Sequence, residues 1–426
     1  MKKHDWKKGI WIPLFLAGVI AVGALLMLGT YGIPTGRILL HIREAETLYS
    51  REGAYPSFMP ELLAARQDNF TDAIMIKEAA YHDEKPLAYN AFMNPHAVRG
   101  DGQDMVGDLL AYADPNVSKS MSPHYYARYW HGYLVFLKPL LWIFTVSQLR
   151  MVNMAVQMLL FAAVVMLLGR KCGFRFGLCF AASVVFLNPA ATAVSFQFST
   201  VLYVVLLSLL AGLLLDGVLW KYNAWGKLFF LAGAAVSFVD LLTYPVAVPG
   251  MLLAVFFLLH PQRIREGILA FIRYGLLWSV GYLGMWAGKW LLATAVSGSN
   301  ILQDGLDNVR LRTGEAPGGG MAEGIRCNLE VIRQTPLKWF IIVVLIITVL
   351  LLVFRIYRLS FCASQLVLLA LTACLPFAWY LVANNHSVIH SFFTYRGMMV
   401  TVFGILCMIG VSVKRNEIKR KQEDRI

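Results

Sequence analysis

The sequence predicts an all-α polytopic membrane protein of about ten transmembrane helices (range about 9–12), with surface helices in a large first extracytoplasmic loop. Three observations predict it. The 426 residues are 58% hydrophobic and only 15% charged, with a mean hydropathy of +0.60, against about 45–50% apolar and about 25% charged in soluble domains. Apolar runs recur that are longer than a globular helix needs. Basic residues gather at the ends of those runs. Disorder, collagen-like repeats and a disulfide-stapled secreted fold are excluded. The net charge of +13, from 38 basic and 25 acidic residues, therefore serves orientation and contact with membrane lipids. No zinc-type Cys spacing or RNA-binding aromatic motif is present, so no nucleic-acid partner is expected.

Candidate runs lie at about 9–31, 131–146, 151–169, 178–195, 200–219, 228–246, 249–260, 268–293, 337–354, 361–383 and 397–413. If all crossed, the two ends of the chain would lie on opposite sides. Both ends are basic, with Lys2, Lys3, Lys7 and Lys8 at one and Lys414, Arg415, Lys419, Arg420, Lys421 and Arg425 at the other, so both should be cytoplasmic. Counted back from the tail, the connections bearing Arg355 and Arg358, Arg263 and Arg265, Lys221 and Lys227, and Arg170 and Lys171 fall inside. The run at 131–146 breaks this parity. It is short and interrupted by Lys138-Pro139, so it should lie on the outer face as an amphipathic helix. The start of the chain is read as a retained anchor rather than a cleaved signal.

This leaves one membrane domain, 1–426, with a large outer loop at 32–150, a second at 294–336, a short one at 384–396 and a basic tail at 414–426. Within the first loop, 57–67, 70–81 and 104–113 read as short helices, the second capped by Thr71 or Asn69. The six scattered Cys residues are expected to stay unpaired.

Candidate site residues follow from charge in unfavourable places. Asp240 falls in the outer half of a span and Lys289 near the outer end of another, where ionisable groups are costly and often functional. The two could pair, or Lys289 could snorkel to the surface. Arg396 is a cation in a short outer loop, against the orientation bias, so an anion should hold it. A lipid-linked phosphate suits a guanidinium fork. The same loop contains His386, His390 and Tyr395, while Arg310 and Arg312 in the 294–336 loop are further phosphate candidates. The aromatic run Tyr125 to His131 could stack on a sugar or form an interfacial belt. Asp101, Asp104 and Asp108 could bind a divalent cation or form a solvated acidic face; no other cofactor is implied. There is no phosphate-binding Gly-rich loop ending in Lys.

The layout resembles the N-terminal module of the GT-C class, integral membrane glycosyltransferases that use polyprenyl-phosphate-linked sugars. The pieces are Asn69-Phe70-Thr71-Asp72-Ala73-Ile74-Met75, then Tyr129-Trp130-His131-Gly132-Tyr133 running to Lys138-Pro139, then Arg150-Met151-Val152-Asn153 opening the second span. The resemblance covers roughly the first 190 residues. It implies Asp72 as catalytic base, His131 at the substrate, a polyprenyl-phosphate sugar as donor and a glycan, lipid or polymer as acceptor. Asp72 can also be read as a carboxylate favoured at a helix N-terminus. The other readings are a transporter or flippase, with Asp240 and Lys289 on its path, and a noncatalytic membrane subunit.

Overall fold

The computed structural model describes residues 11–100, 104–185, 187–314, 319–354 and 357–415. The Lys-rich start, Asp101, Arg355 and the tail beyond Arg415 lie outside them.

Helix α1 (Trp11–Tyr31) contains no charged residue. The segment after it folds as a small layer of its own. It comprises α2 (Gly36–Glu44), α3 (Glu46–Glu52), α4 (Asn69–Ala80), α5 (Leu87–Met93), β1 (Pro95–Val98), α6 (Met105–Ala113), α7 (Pro115–Ser118), β2 (Ser122–Tyr125) and α8 (Leu134–Ile143). Helices at 70–81 and 104–113 form where expected. The cap of α4 is Asp68, whose carboxylate accepts the Thr71 N–H, rather than Thr71 or Asn69. The stretch 57–67 forms only a three-residue 3-10 turn, Leu63–Ala65. Pro56 and Pro60 explain this, because neither supplies an N–H and Pro60 falls inside the proposed helix. The antiparallel pair β1–β2, in register from Pro95↔Tyr125 to Val98↔Ser122, was not anticipated.

Helix α8 is too short to cross a bilayer and carries Pro139 within it. Its amphipathicity is inverted relative to expectation. Lys138 is buried, with its ammonium 5.1 Å from the Tyr31 ring centre, and burial pushes it down to about 8. Phe136, Trp142 and Ile143 face outward instead.

The bundle continues with α9 (Val146–Cys172), α10 (Phe174–Val185), α11 (Pro189–Val194), α12 (Phe196–Leu214), α13 (Asp216–Lys221), α14 (Trp225–Val239), α15 (Ala247–Leu259), α16 (Ile264–Ser297), α17 (Ile301–Thr313) and α18 (Glu323–Gln334). It closes with α19 (Leu337–Val353), β3 (Tyr357–Leu359), α20 (Ala363–Ala373), α21 (Leu375–Val382), α22 (Asn384–Ile389), α23 (Ser391–Thr394), α24 (Met399–Ser412) and β4 (Val413–Arg415). By length and composition, six helical stretches can cross a membrane, and seven if α18 and α19, bent by 71°, count as one. That is fewer than the ten predicted.

The difference lies in α10, α14 and α15, with 12, 15 and 13 residues. At 1.5 Å per residue they reach roughly 18–23 Å, short of the roughly 30 Å hydrocarbon core. They nevertheless join the same two ends of the bundle as the longer helices. At one end, Asp216 binds His260 at 2.7 Å, and Arg175 donates to Val413 O at 2.6 Å. At the other, Asn188 donates to Ala64 O, Tyr244 donates to Phe198 O, and Gly132 N–H donates to Phe238 O at 2.7 Å. Packing by protein makes the shortness tolerable: α15 buries every residue from Ala247 to Phe257. Gly132 is obligatory at its contact, since a Cβ there would lie 2.3 Å from the Phe238 ring.

Candidate functional site

The carboxylate of Asp72 is fully buried and accepts the backbone N–H groups of Phe196 and Gln197, each at 2.9 Å, and the Ser195 hydroxyl at 3.3 Å. It therefore caps α12, a helix distant in sequence. Burial pushes it up to about 7, opposed by the Gln197 N–H, by Arg150 and by the Phe196 N–H.

Arg396 is fully buried, 4.0 Å from the Phe198 ring centre, and donates to Phe392 O. Asp68 is close enough to feel its charge, but no hydrogen bond or ion pair joins the two, and Arg396 Nε and Nη2 have no partner among the described residues. Burial raises that carboxyl to about 6, and the Thr71 amide and hydroxyl, Arg66 and Arg396 all pull it back. Tyr395 is buried beside Arg396 and donates to Ala64 O at 3.2 Å.

Asp240 and Lys289 do not pair. Asp240 turns back on Thr243, accepting its N–H at 3.0 Å and its hydroxyl. Lys289 is fully buried and donates to Asn94, which explains why it does not snorkel. His131 is buried in the outer layer at φ +56°, between Glu78 at 2.8 Å and Tyr126 O at 2.7 Å. Arg310 is exposed and pairs with Asp307 one turn back along α17. Asp104 caps α6 through the Gly107 N–H, and Asp108 binds Arg99 at 3.0 Å. Among the described residues, no group of three or more His, Cys, Asp or Glu side chains is placed to hold a metal.

Arg312, His386 and His390 do converge. The Arg312 guanidinium donates to His386 Nδ1 at 3.1 Å and to His390 Nε2 at 3.0 Å. Burial pushes both imidazoles down, His390 to about 4, with the Arg312 charge acting the same way.

Arg312 also lines a groove of about 430 Å³, within the range of small-molecule sites. One wall is a stripe of α16: Trp278, Tyr282, Trp286 and Trp290, at spacings of four, which keep one helix face. Twelve residues of helix make it about 18 Å long. The rings form a ladder with centroids 4.9, 5.3 and 5.8 Å apart, and Trp379 and Tyr129 close on it from other elements. The buried indole N–H groups of Trp278, Trp286 and Trp379 find no acceptor among the described residues.

Two guanidiniums, Arg312 and Arg128, line the groove, and Arg128 is fixed at its Trp290 end. The Arg128 carbonyl accepts the Trp290 indole N–H at 2.9 Å, and its side chain pairs with Asp304 at 3.5 Å. Asp240 lies behind this end. Burial raises the Tyr129 phenol, and the Asp240 charge adds to that shift while Arg312 and Arg128 oppose it. Leu242, two residues on from Asp240, enters the lining at φ +67°.

Sequence reasoning missed Arg128 as a cation of the site and the α16 stripe altogether. The stripe had a signal, since four large aromatics at i, i+4, i+8 and i+12 are visible in the sequence.

No protein-family model, curated protein or solved structure matches the chain. Its helices define it as a mostly helical membrane-embedded protein with six or seven helical stretches able to cross by length and composition.

Proposed function

We propose that the protein is a glycosyltransferase of the GT-C type that takes a sugar from a polyprenyl-phosphate carrier at the extracytoplasmic face of the plasma membrane, with both chain ends cytoplasmic. The groove carries this reading. A long aromatic groove with two guanidiniums in its lining suits a ligand made of an extended apolar tail and a phosphate.

The transfer needs little beyond charge and position. The acceptor hydroxyl, on a glycan, lipid or polymer, attacks the anomeric carbon, and the bond from that carbon to the phosphate oxygen breaks. The phosphate leaves with the electron pair, and Arg312 and Arg128 offset its charge. A carboxylate takes the hydroxyl proton, an aid typically worth about 10²–10⁴ in rate. Two buried carboxylates are the candidates for this base: Asp240, behind Tyr129 and Leu242 and bonded to Thr243, and Asp72, which the family resemblance implies and which caps α12.

The test uses the full chain in nanodiscs supplied with a polyprenyl-phosphate hexose and a mixed glycan and lipid acceptor pool. Release of polyprenyl phosphate that Asp240→Asn and Arg312→Gln abolish is the expected result. Movement of the carrier across proteoliposomes with its covalent structure unchanged would replace this reading with the flippase.

A further inference from the structure

The two cations that line the groove are held in opposite ways. Arg128 is paired with a carboxylate, Asp304. Arg312 has no carboxylate partner among the described residues and is held by two imidazoles. A guanidinium can only donate hydrogen bonds, so His386 Nδ1 and His390 Nε2 must both accept, and neither nitrogen carries a proton. For His386 this places the ring proton on Nε2, and that nitrogen donates to Leu242 O at 2.6 Å. The tautomer is thereby set at both ends, and the chain of bonds runs from Arg312 through His386 into the groove lining. The two rings are themselves braced, with centroids 4.8 Å apart and His390 stacked on Phe393 at 5.0 Å. Asn385 ties the same stretch of α17 a second time through Leu311 O at 2.8 Å.

Neutral partners matter for an anion site. A carboxylate would fix the guanidinium but offset its charge, whereas an imidazole fixes it and leaves the charge intact. We propose that His386 and His390 are positioning residues that, as neutral acceptors, aim the Arg312 guanidinium at the phosphate of a lipid-linked ligand. The inference rests on reading the groove as a lipid-phosphate site.

The experiment titrates the full-length protein in nanodiscs with farnesyl phosphate and, separately, farnesol, reading the groove tryptophans by fluorescence. His390→Leu and His386→Leu are expected to weaken farnesyl phosphate binding on the order of tenfold and to leave farnesol binding unchanged. His390→Gln restores most of the loss, because its amide oxygen can accept from Arg312. Loss of both ligands equally in the Leu variants, or no loss of either, overturns the positioning role. Should His386→Leu not fold, His390→Leu carries the test, since its ring is only partly buried. Arg312→Gln separates the two layers of argument. If it weakens farnesyl phosphate selectively while the His→Leu variants do not, only the positioning role falls. If Arg312→Gln also fails to distinguish the two ligands, the phosphate reading of the groove falls with it.

Discussion

The Asp72 carboxylate accepts the Gln197 backbone N–H at 2.9 Å, so the outer layer supplies the cap for a bundle helix 125 positions away. Asn at position 72 retains one accepting oxygen where Asp72 uses both, and it loses the charge that favours a helix N-terminus. Asp72→Asn is expected to cost about 1–2 kcal/mol, seen as a lower melting temperature. Any fall in sugar transfer should be proportionate to the loss of folded protein. A drop in turnover of more than about a hundredfold at an unchanged melting temperature would return Asp72 to the role of base.

A second fastening joins the outer layer to α9. Arg150 grips both oxygens of Glu52, at 3.0 and 2.9 Å, and reaches Asn69 at 2.9 Å with its other amino group. Arg150→Leu leaves a mostly buried carboxylate unpaired and should cost about 3 kcal/mol. Arg150→Lys keeps the charge but cannot reproduce the fork, so its melting temperature should fall between the two. Equal melting temperatures for Lys and Leu variants would mean that geometry, not charge, accounts for the whole contribution.

These contacts show where sequence reasoning reaches and where it stops. Helices α4 and α6 were legible because their apolar patterns and flanking turn residues are local features, but the α4 cap, Asp68 rather than Thr71 or Asn69, was not. The non-crossing character of α8 was legible from Lys138-Pro139, but not that Lys138 points inward to Tyr31. At the site, the sequence marked Arg312, His386 and His390 separately, and their convergence depends on packing across 74 and 78 positions. It marked Asp240 and Lys289 as costly in a membrane, which both are, while their partners Thr243 and Asn94 follow only from the fold. Asp68, 328 positions earlier, feels the Arg396 charge through a proximity that no local pattern encodes, while Arg396 keeps two donor nitrogens without a partner among the described residues.

Gly305 lets α17 close over the groove. A Cβ at this position would lie 2.5 Å from the Trp290 indole, whose own N–H is tied to Arg128. Gly305→Ala must lift α17 or turn Trp290, at about 1–3 kcal/mol. Farnesyl phosphate binding should weaken several-fold in the tryptophan fluorescence titration. Gly320→Ala, with open space around the added carbon, is the matched control and should bind normally. Equal binding by both variants would detach Trp290 from the ligand.

His390 makes stability depend on pH. In the fold its imidazole is pushed from 6.5 to about 4, mainly by burial and further by Arg312. Between those values the unfolded chain binds a proton that the folded chain excludes, so stability falls as pH drops from 6.5 toward 4. Above 6.5 both states are neutral and the residue contributes no slope. His386 shifts in the same direction, through burial, His390 and Arg312. Melting temperatures across this window should decline less steeply for His390→Gln than for the parent protein. Parallel curves would show that His390 binds its proton equally in the folded and unfolded chain and is not held neutral beside Arg312.

Trp286 belongs to the aromatic wall of the groove. It stands mid-stripe, in edge contact with Tyr129 at 5.9 Å and tilted against Tyr282 and Trp290. Trp286→Ala removes a large aromatic surface where the prenyl chain would lie, so farnesol and farnesyl phosphate should both bind on the order of tenfold more weakly. Arg312→Gln acts at the other part of the ligand and should weaken farnesyl phosphate alone. Trp220→Ala gives the control for lost aromatic packing, because Trp220 stacks on His260 at the opposite end of the bundle. It should lower the melting temperature without changing either affinity. A Trp286→Ala protein that binds both ligands normally would empty the stripe of its role, since no polar contact could compensate for farnesol.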